Sequence, residues 1–138
     1  MATLAKDKVR QFRNVAPVIE YPAVASDILY RGSAAGDSSG TIRPITTSDA
    51  FVGFIDANAD NSAGAASAIN VAVIPEGEVY LSITSVSSAD DLGVTVYASD
   101  DDTFTTASTG NVAIGKIVQW VTGTNAWVKF QAAAVRSI

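Results

Sequence analysis

The 138-residue chain contains no histidine and no cysteine. Enzymes draw most of their general bases, nucleophiles and transition-metal ligands from these two residue types. Their absence removes the commonest catalytic and metal-binding constellations. With no cysteine, nothing in the chain reports on redox compartment. No run of about 18 apolar residues occurs, so no transmembrane helix is expected. No continuous apolar stretch precedes the first charges at Lys6, Asp7 and Lys8, so no signal peptide is expected either. Helical patterning is equally scarce. Only Ala2 to Phe12 offers a turn or two, and it lacks an apolar stripe.

What is present is apolar. Hydrophobic residues make up 48% of the chain, enough for one domain with a substantial core. A chain of this size buries roughly two thirds of its unfolded surface, so it needs no metal or disulfide to fold. Nine Lys and Arg stand against 14 Asp and Glu, a net charge of −5. That balance argues against nucleic acid as a partner, because a phosphate-binding surface is net positive. The charge is also unevenly spread. Residues 1–13 hold Lys6, Lys8, Arg10 and Arg13 against Asp7, a net +3, while the remainder carries −8. A basic arm, residues 1–14, therefore precedes an acidic body, residues 15–138. Such an arm either frays in solvent or reaches an acidic partner surface.

The body reads as β throughout. Val79, Leu81 and Ile83 alternate with Tyr80, Ser82 and Thr84, and Ile69 to Ile74 alternates in the same way. Pro75-Glu76-Gly77-Glu78 between them predicts a hairpin turn. Further strands are predicted at Val15 to Tyr21, Ile28 to Arg31, Phe51 to Asp56, Val94 to Ala98, Val112 to Val121 and Ala126 to Gln131. Thr122-Gly123-Thr124-Asn125 marks a hairpin between the last two. Eight or nine short strands at regular spacing predict an all-β fold, a sandwich or barrel. Ser33 to Gly40 and Asp56 to Ala68 read as loops, the first flexible and the second long enough to cross a neighbouring surface.

Several motifs fail on their own chemistry. Gly36-Asp37-Ser38-Ser39-Gly40 matches the hydrolase elbow, but its serine has no histidine to activate it. Gly110 to Lys116 matches a phosphate loop, yet Ile117 stands where Ser or Thr would hold magnesium, and Val112 and Ile114 suit a strand. Asp56 to Asn61 resembles the start of a calcium loop, but Asn61 and Ser67 replace the required Gly and Glu. Asp100-Asp101-Asp102 reads as a solvated acidic turn that binds a cation weakly or meets a basic partner. Glu20, Glu76 and Glu78 are the carboxylates available for glycoside chemistry, and two of them flank Gly77 at the expected hairpin tip. Trp120 and Trp127 are expected as a cross-strand core pair of the last hairpin.

Three phrases carry a resemblance. They are Ala25-Ser26-Asp27-Ile28-Leu29-Tyr30-Arg31-Gly32 with Gly36-Asp37; Asp49-Ala50-Phe51-Val52-Gly53-Phe54 with Ala59 to Ala66; and Val96 to Phe104 leading into Gly110-Asn111 and Ile114-Gly115. Over most of residues 15–131 the order of these phrases resembles the capsid decoration (cement) proteins of tailed bacteriophages. The resemblance implies a compact β-sandwich or β-tulip-like barrel with an extended N-terminal arm. It also implies trimers on the outer surface of the major capsid protein lattice that stabilise the phage head after synthesis in the host cytoplasm. No active site and no cofactor belong to such a part, and neither nucleic acid nor membrane is a partner. The contact residues expected are Lys6, Lys8, Arg10 and Phe12 of the arm, and Asn58, Asp60 and Asn61 within a second contact loop, residues 57–66. One alternative is a structural module of the phage tail or baseplate. Another is a carbohydrate-binding sandwich, which would need Trp120, Trp127, Tyr80 and Tyr97 exposed on one flat face.

Overall fold

The Val79–Thr84 alternation builds the seam of the molecule. In the computed structural model, which describes residues 4–135, it belongs to a nine-residue strand with Val79, Leu81 and Ile83 buried. The strands in chain order are β1 (Phe12–Arg13), β2 (Ile19–Pro22), β3 (Asp27–Leu29), β4 (Ala34–Ser38), β5 (Thr41–Pro44), β6 (Ala50–Ile55) and β7 (Ala59–Asn61). They continue with β8 (Asn70–Ile74), β9 (Glu76–Thr84), β10 (Thr95–Asp100), β11 (Thr103–Thr105), β12 (Val112–Thr122) and β13 (Asn125–Gln131). Helical structure among the described residues is confined to two 3-10 turns, Ala89–Asp91 and Ala133–Val135. None of it is long and apolar enough to cross a membrane. The fold is all-β.

β9 closes a barrel. One edge pairs antiparallel with β13 from Glu76 to Ser82, and the other pairs parallel with β11 at Ile83 and Thr84. β11, β10, β12 and β13 complete the circuit. The stretch of β9 that β11 leaves unpaired is taken by β1, with Phe12 opposite Val79 and Arg13 opposite Glu78. Phe12 and Arg13 of the arm therefore fill a sheet edge of their own body. No helix forms between residues 4 and 14.

A second, antiparallel sheet, β2-β8-β6-β4-β5, lies against the barrel. It curls until Ala23, just past β2, bridges Ile42 of β5. Its inner face, with Ala35, Ile42, Val52, Ile55, Val71 and Val73, forms a separate core, and the β3–β7 pair adds Leu29 and Ala59. β6 serves both cores. Phe51 and Phe54 face the barrel, whereas Val52 and Ile55 face the second core. Phe51 and Phe54 are three residues apart, so strict alternation would put them on opposite faces. Gly53, at φ +131°, breaks the alternation. A Cβ there would sit 2.0 Å from the Ile74 carbonyl oxygen, so only glycine fits.

All five phenylalanines of the chain converge on this boundary. Phe54 makes ring contacts with Phe12, Phe51, Phe104 and Phe130, the tightest an edge-on contact with Phe130 at 4.9 Å between centroids. The cluster welds barrel, second sheet and arm together. Edge-on pairs of this kind contribute about 0.5–1.5 kcal/mol each beyond the area they bury.

Four expectations are corrected. Ser33 to Gly40 is no flexible loop, because β4 runs through it between β5 and β6. Its residues are small because Ala34 and Ala35 pack into different cores and Gly36 lies against Asp49. Pro75 to Glu78 is no hairpin tip. Pro75 alone separates β8 from β9, and it carries the chain from one sheet into the other. The long loop after Asp56 is partly a strand, β7, paired with β3. Trp120 and Trp127 do not face each other. One register shift, between Trp120 and Thr122, sets Trp127 opposite Gln119 and Trp120 opposite buried Ala126, so the two indoles lie on opposite faces. The turn at Gly123 and Thr124 is as expected, with Thr122 opposite Asn125.

Candidate contact surface

The arm and the 57–66 loop, separate in sequence, meet at Asp7. One of its carboxylate oxygens accepts hydrogen bonds from the Asn58 side-chain amide at 3.0 Å and from the Arg31 backbone N–H at 2.9 Å. These donors hold the exposed Asp7 carboxyl below the usual carboxylate range. The Lys8 N–H then donates to the Arg31 carbonyl, which fixes the arm beside β3. Lys6, Asn58 and Asp60 all lie exposed at this end. The Asp60 carboxylate accepts from both the hydroxyl and the N–H of Ser62, which lowers its pKa and stiffens the loop.

Farther along, the arm turns inward. The Arg10 side chain is 5% exposed. It donates to the Gly32 carbonyl and to Asp102, and lies 5.6 Å from the Phe54 ring centroid and 5.4 Å from that of Phe104. Phe12 packs edge-on against Phe54 and Phe130. Lys8 reaches the same Asp102 at 3.0 Å but keeps its side chain half exposed. Asn61 is also framework: at 3% exposure its amide donates to the carbonyls of Val24 and Ala65. Of the residues expected to make contacts, Lys6, Lys8, Asn58 and Asp60 stand at the surface, and Arg10, Phe12 and Asn61 are spent on the body.

The acidic triplet serves the fold. Asp100 accepts from the Asp102 N–H, and the carboxylate of buried Asp101 accepts from the Ser33 hydroxyl. Asp102 takes the arm's two cations. The basic partner of this turn is the protein's own arm. Among the described residues no cluster of three or more carboxylates is placed to hold a metal ion. Glu78 is paired with Arg13, Glu76 accepts from Gln131, and Glu20 lies on β2 in the other sheet.

A buried acid escaped the sequence reading. Asp49 accepts two bonds from Arg43 and one from the Thr46 N–H. Burial works to raise its pKa, but these donors together outweigh it and hold the carboxyl below the usual value. The signal was Thr46-Thr47-Ser48-Asp49, a turn-forming run whose last residue folds back on its first.

The aromatic residues form no single flat face. Trp127 and Tyr80 share the outer side of the barrel at 5.6 Å, but the Arg13 guanidinium covers the Trp127 ring at 4.0 Å. Trp120 packs against the barrel core and donates to the Gly123 carbonyl. The open sheet edge at β2 is bracketed by Pro17 and Pro22 and carries exposed Glu20. Both devices oppose strand addition. No known family model matches the chain, and no curated protein matches it.

Proposed function

We propose that the protein is a structural part of a bacteriophage head, a decoration (cement) protein. On this reading it adds as trimers to the outer surface of the major capsid protein lattice and stabilises the shell. The observation that carries this reading is the junction at Asp7 and Asn58, which merges the arm and the 57–66 loop into one surface. Lys6 and Lys8 stand on that surface beside Asp7 and Asp60, so it carries charge of both signs. Mixed charge of this kind orients a protein on a lattice of complementary charge pattern. The surface rests on a body pinned by the phenylalanine cluster, so little ordering cost remains to be met on docking. Repetition over a shell then multiplies weak contacts. The order of phrases over residues 15–131 supports the same reading.

Truncating the arm would remove Arg10 and Phe12 from the core, so surface substitutions give the cleaner test. Lys6→Glu, Asn58→Ala and Asp60→Ala should lower occupancy on purified empty capsids and lower the temperature at which they rupture, with the monomer's melting unchanged. Unchanged occupancy removes this surface from the contact. If immunogold labelling of virions finds the protein on tails instead, the tail-module reading replaces the head.

A further inference from the structure

A groove of about 360 Å³ lies on the outer barrel wall, lined in part by Thr95, Ala113, Lys116, Val118 and Lys129. Lys116 and Lys129 are direct partners across β12 and β13. Like charges directly opposite one another destabilise a sheet. The neighbour able to relieve them is Glu78, opposite Lys129, but Glu78 is engaged by Arg13. No carboxylate among the described residues lies within ion-pair distance of either amine. Val118, 37% exposed, adds an apolar wall. The groove thus presents two uncompensated cations beside an apolar surface.

An acidic and aliphatic tip stands beside the wall of this groove, next to β12. The 3-10 turn Ala89–Asp91 is fixed by a capping box between Ser88 and Asp91. It leaves Asp90 exposed and Leu92 63% exposed. The chain passes directly from this tip into the groove wall. The Gly93 N–H donates to the Ile117 carbonyl, the Ile117 N–H donates to the Val94 carbonyl, and Thr95 sits opposite Lys116. An acidic–aliphatic tip and a basic–apolar groove therefore share one surface. A two-fold axis between them would seat each tip in the other copy's groove, the condition for a self-complementary interface.

We infer that this face binds a second copy of the chain, Asp90 meeting Lys116 and Lys129 while Leu92 packs on Val118. The capped turn is pre-organised, so little conformational freedom is lost when it docks. The inference stands independently of the capsid reading, and binding to capsids is scored separately.

The test is sedimentation velocity over a concentration series, at low salt and at about 0.5 M salt, where charges are screened within a few ångströms. The wild type should associate with concentration, and salt should weaken it. Lys116→Glu with Lys129→Glu, and separately Asp90→Lys, should each weaken association by about tenfold or more, the effect of roughly 1.4 kcal/mol. Asp91 is left intact because it caps the turn. Mixing the two variants restores opposite charges in both grooves, so the mixture should associate as the wild type does. That recovery also shows that both variants are folded. A wild type that stays monomeric throughout overturns the inference, as do variants that associate normally or a mixture that does not recover.

Discussion

Arg10 reaches Asp102 across 92 positions of sequence and ties the N-terminal segment to the body, with its guanidinium beside the rings of Phe54 and Phe104. A cation this deeply buried is tolerable only because it is paired and hydrogen-bonded. The arm's basic charge therefore divides by depth. Arg10 works inside, Lys8 sits at the rim, and Lys6 is exposed.

Arg10→Ala should cost about 1.5–3 kcal/mol of stability, the range for hydrogen bonds to charged groups. Lys8→Ala, at the half-exposed end of the same carboxylate, should cost less than about 1 kcal/mol. Urea unfolding of both variants checks the contrast. In the Arg10→Ala, Asp102→Asn double variant the two losses should be clearly non-additive, because the residues share one interaction.

Phe54→Ala should cost about 3–5 kcal/mol, the usual range for emptying a buried aromatic site. Phe12→Ala should cost about 3 kcal/mol although it lies in a segment that reads as an arm. If Phe12→Ala leaves the urea midpoint unchanged, the arm does not contribute to the core in solution.

Gly53→Ala should destabilise by at least about 3 kcal/mol or abolish soluble expression, because positive φ and a collision with the Ile74 carbonyl oxygen act together. Gly40→Ala is the control. Gly40 also has positive φ, at +97°, but no atom lies within 4 Å of its added Cβ. Its cost should stay near 1 kcal/mol, about the backbone penalty alone.

Asp49 predicts an acid limb. Its folded pKa lies below the ordinary value, so its contribution is fully present above about pH 4, the unfolded carboxylate value, and is lost as pH falls through the folded pKa. Thermal melting should fall with acidification below about pH 4, and Asp49→Asn should flatten that fall. A variant with an acid limb as steep as the wild type's would show that the Arg43 pairing does not set it.

Legibility in the sequence followed the range of the forces involved. Val79-Leu81-Ile83 announced a strand because alternation acts between neighbours. Thr122 to Asn125 announced its turn for the same reason. Ala34-Ala35-Gly36 misled because small residues signal flexibility locally, while here they permit close packing between two strands and two cores. The tryptophans misled because one register shift next to the turn, invisible in composition, turned one indole inward and the other outward. At the contact surface, Lys6 and Asn58 were each legible as exposed polar residues. Their meeting around Asp7 was not.

The order of residues alone determined an all-β body, an uneven charge, and the absence of imidazole and thiol chemistry. These follow from residue identity and from patterns a few positions long. Tertiary structure decided that β9 closes the barrel, that five dispersed phenylalanines form one cluster, and that Arg10 and Phe12 belong to the body. Those outcomes depend on burying side chains far apart in sequence against one another. Burial is a property of the assembled fold, and no local pattern records it.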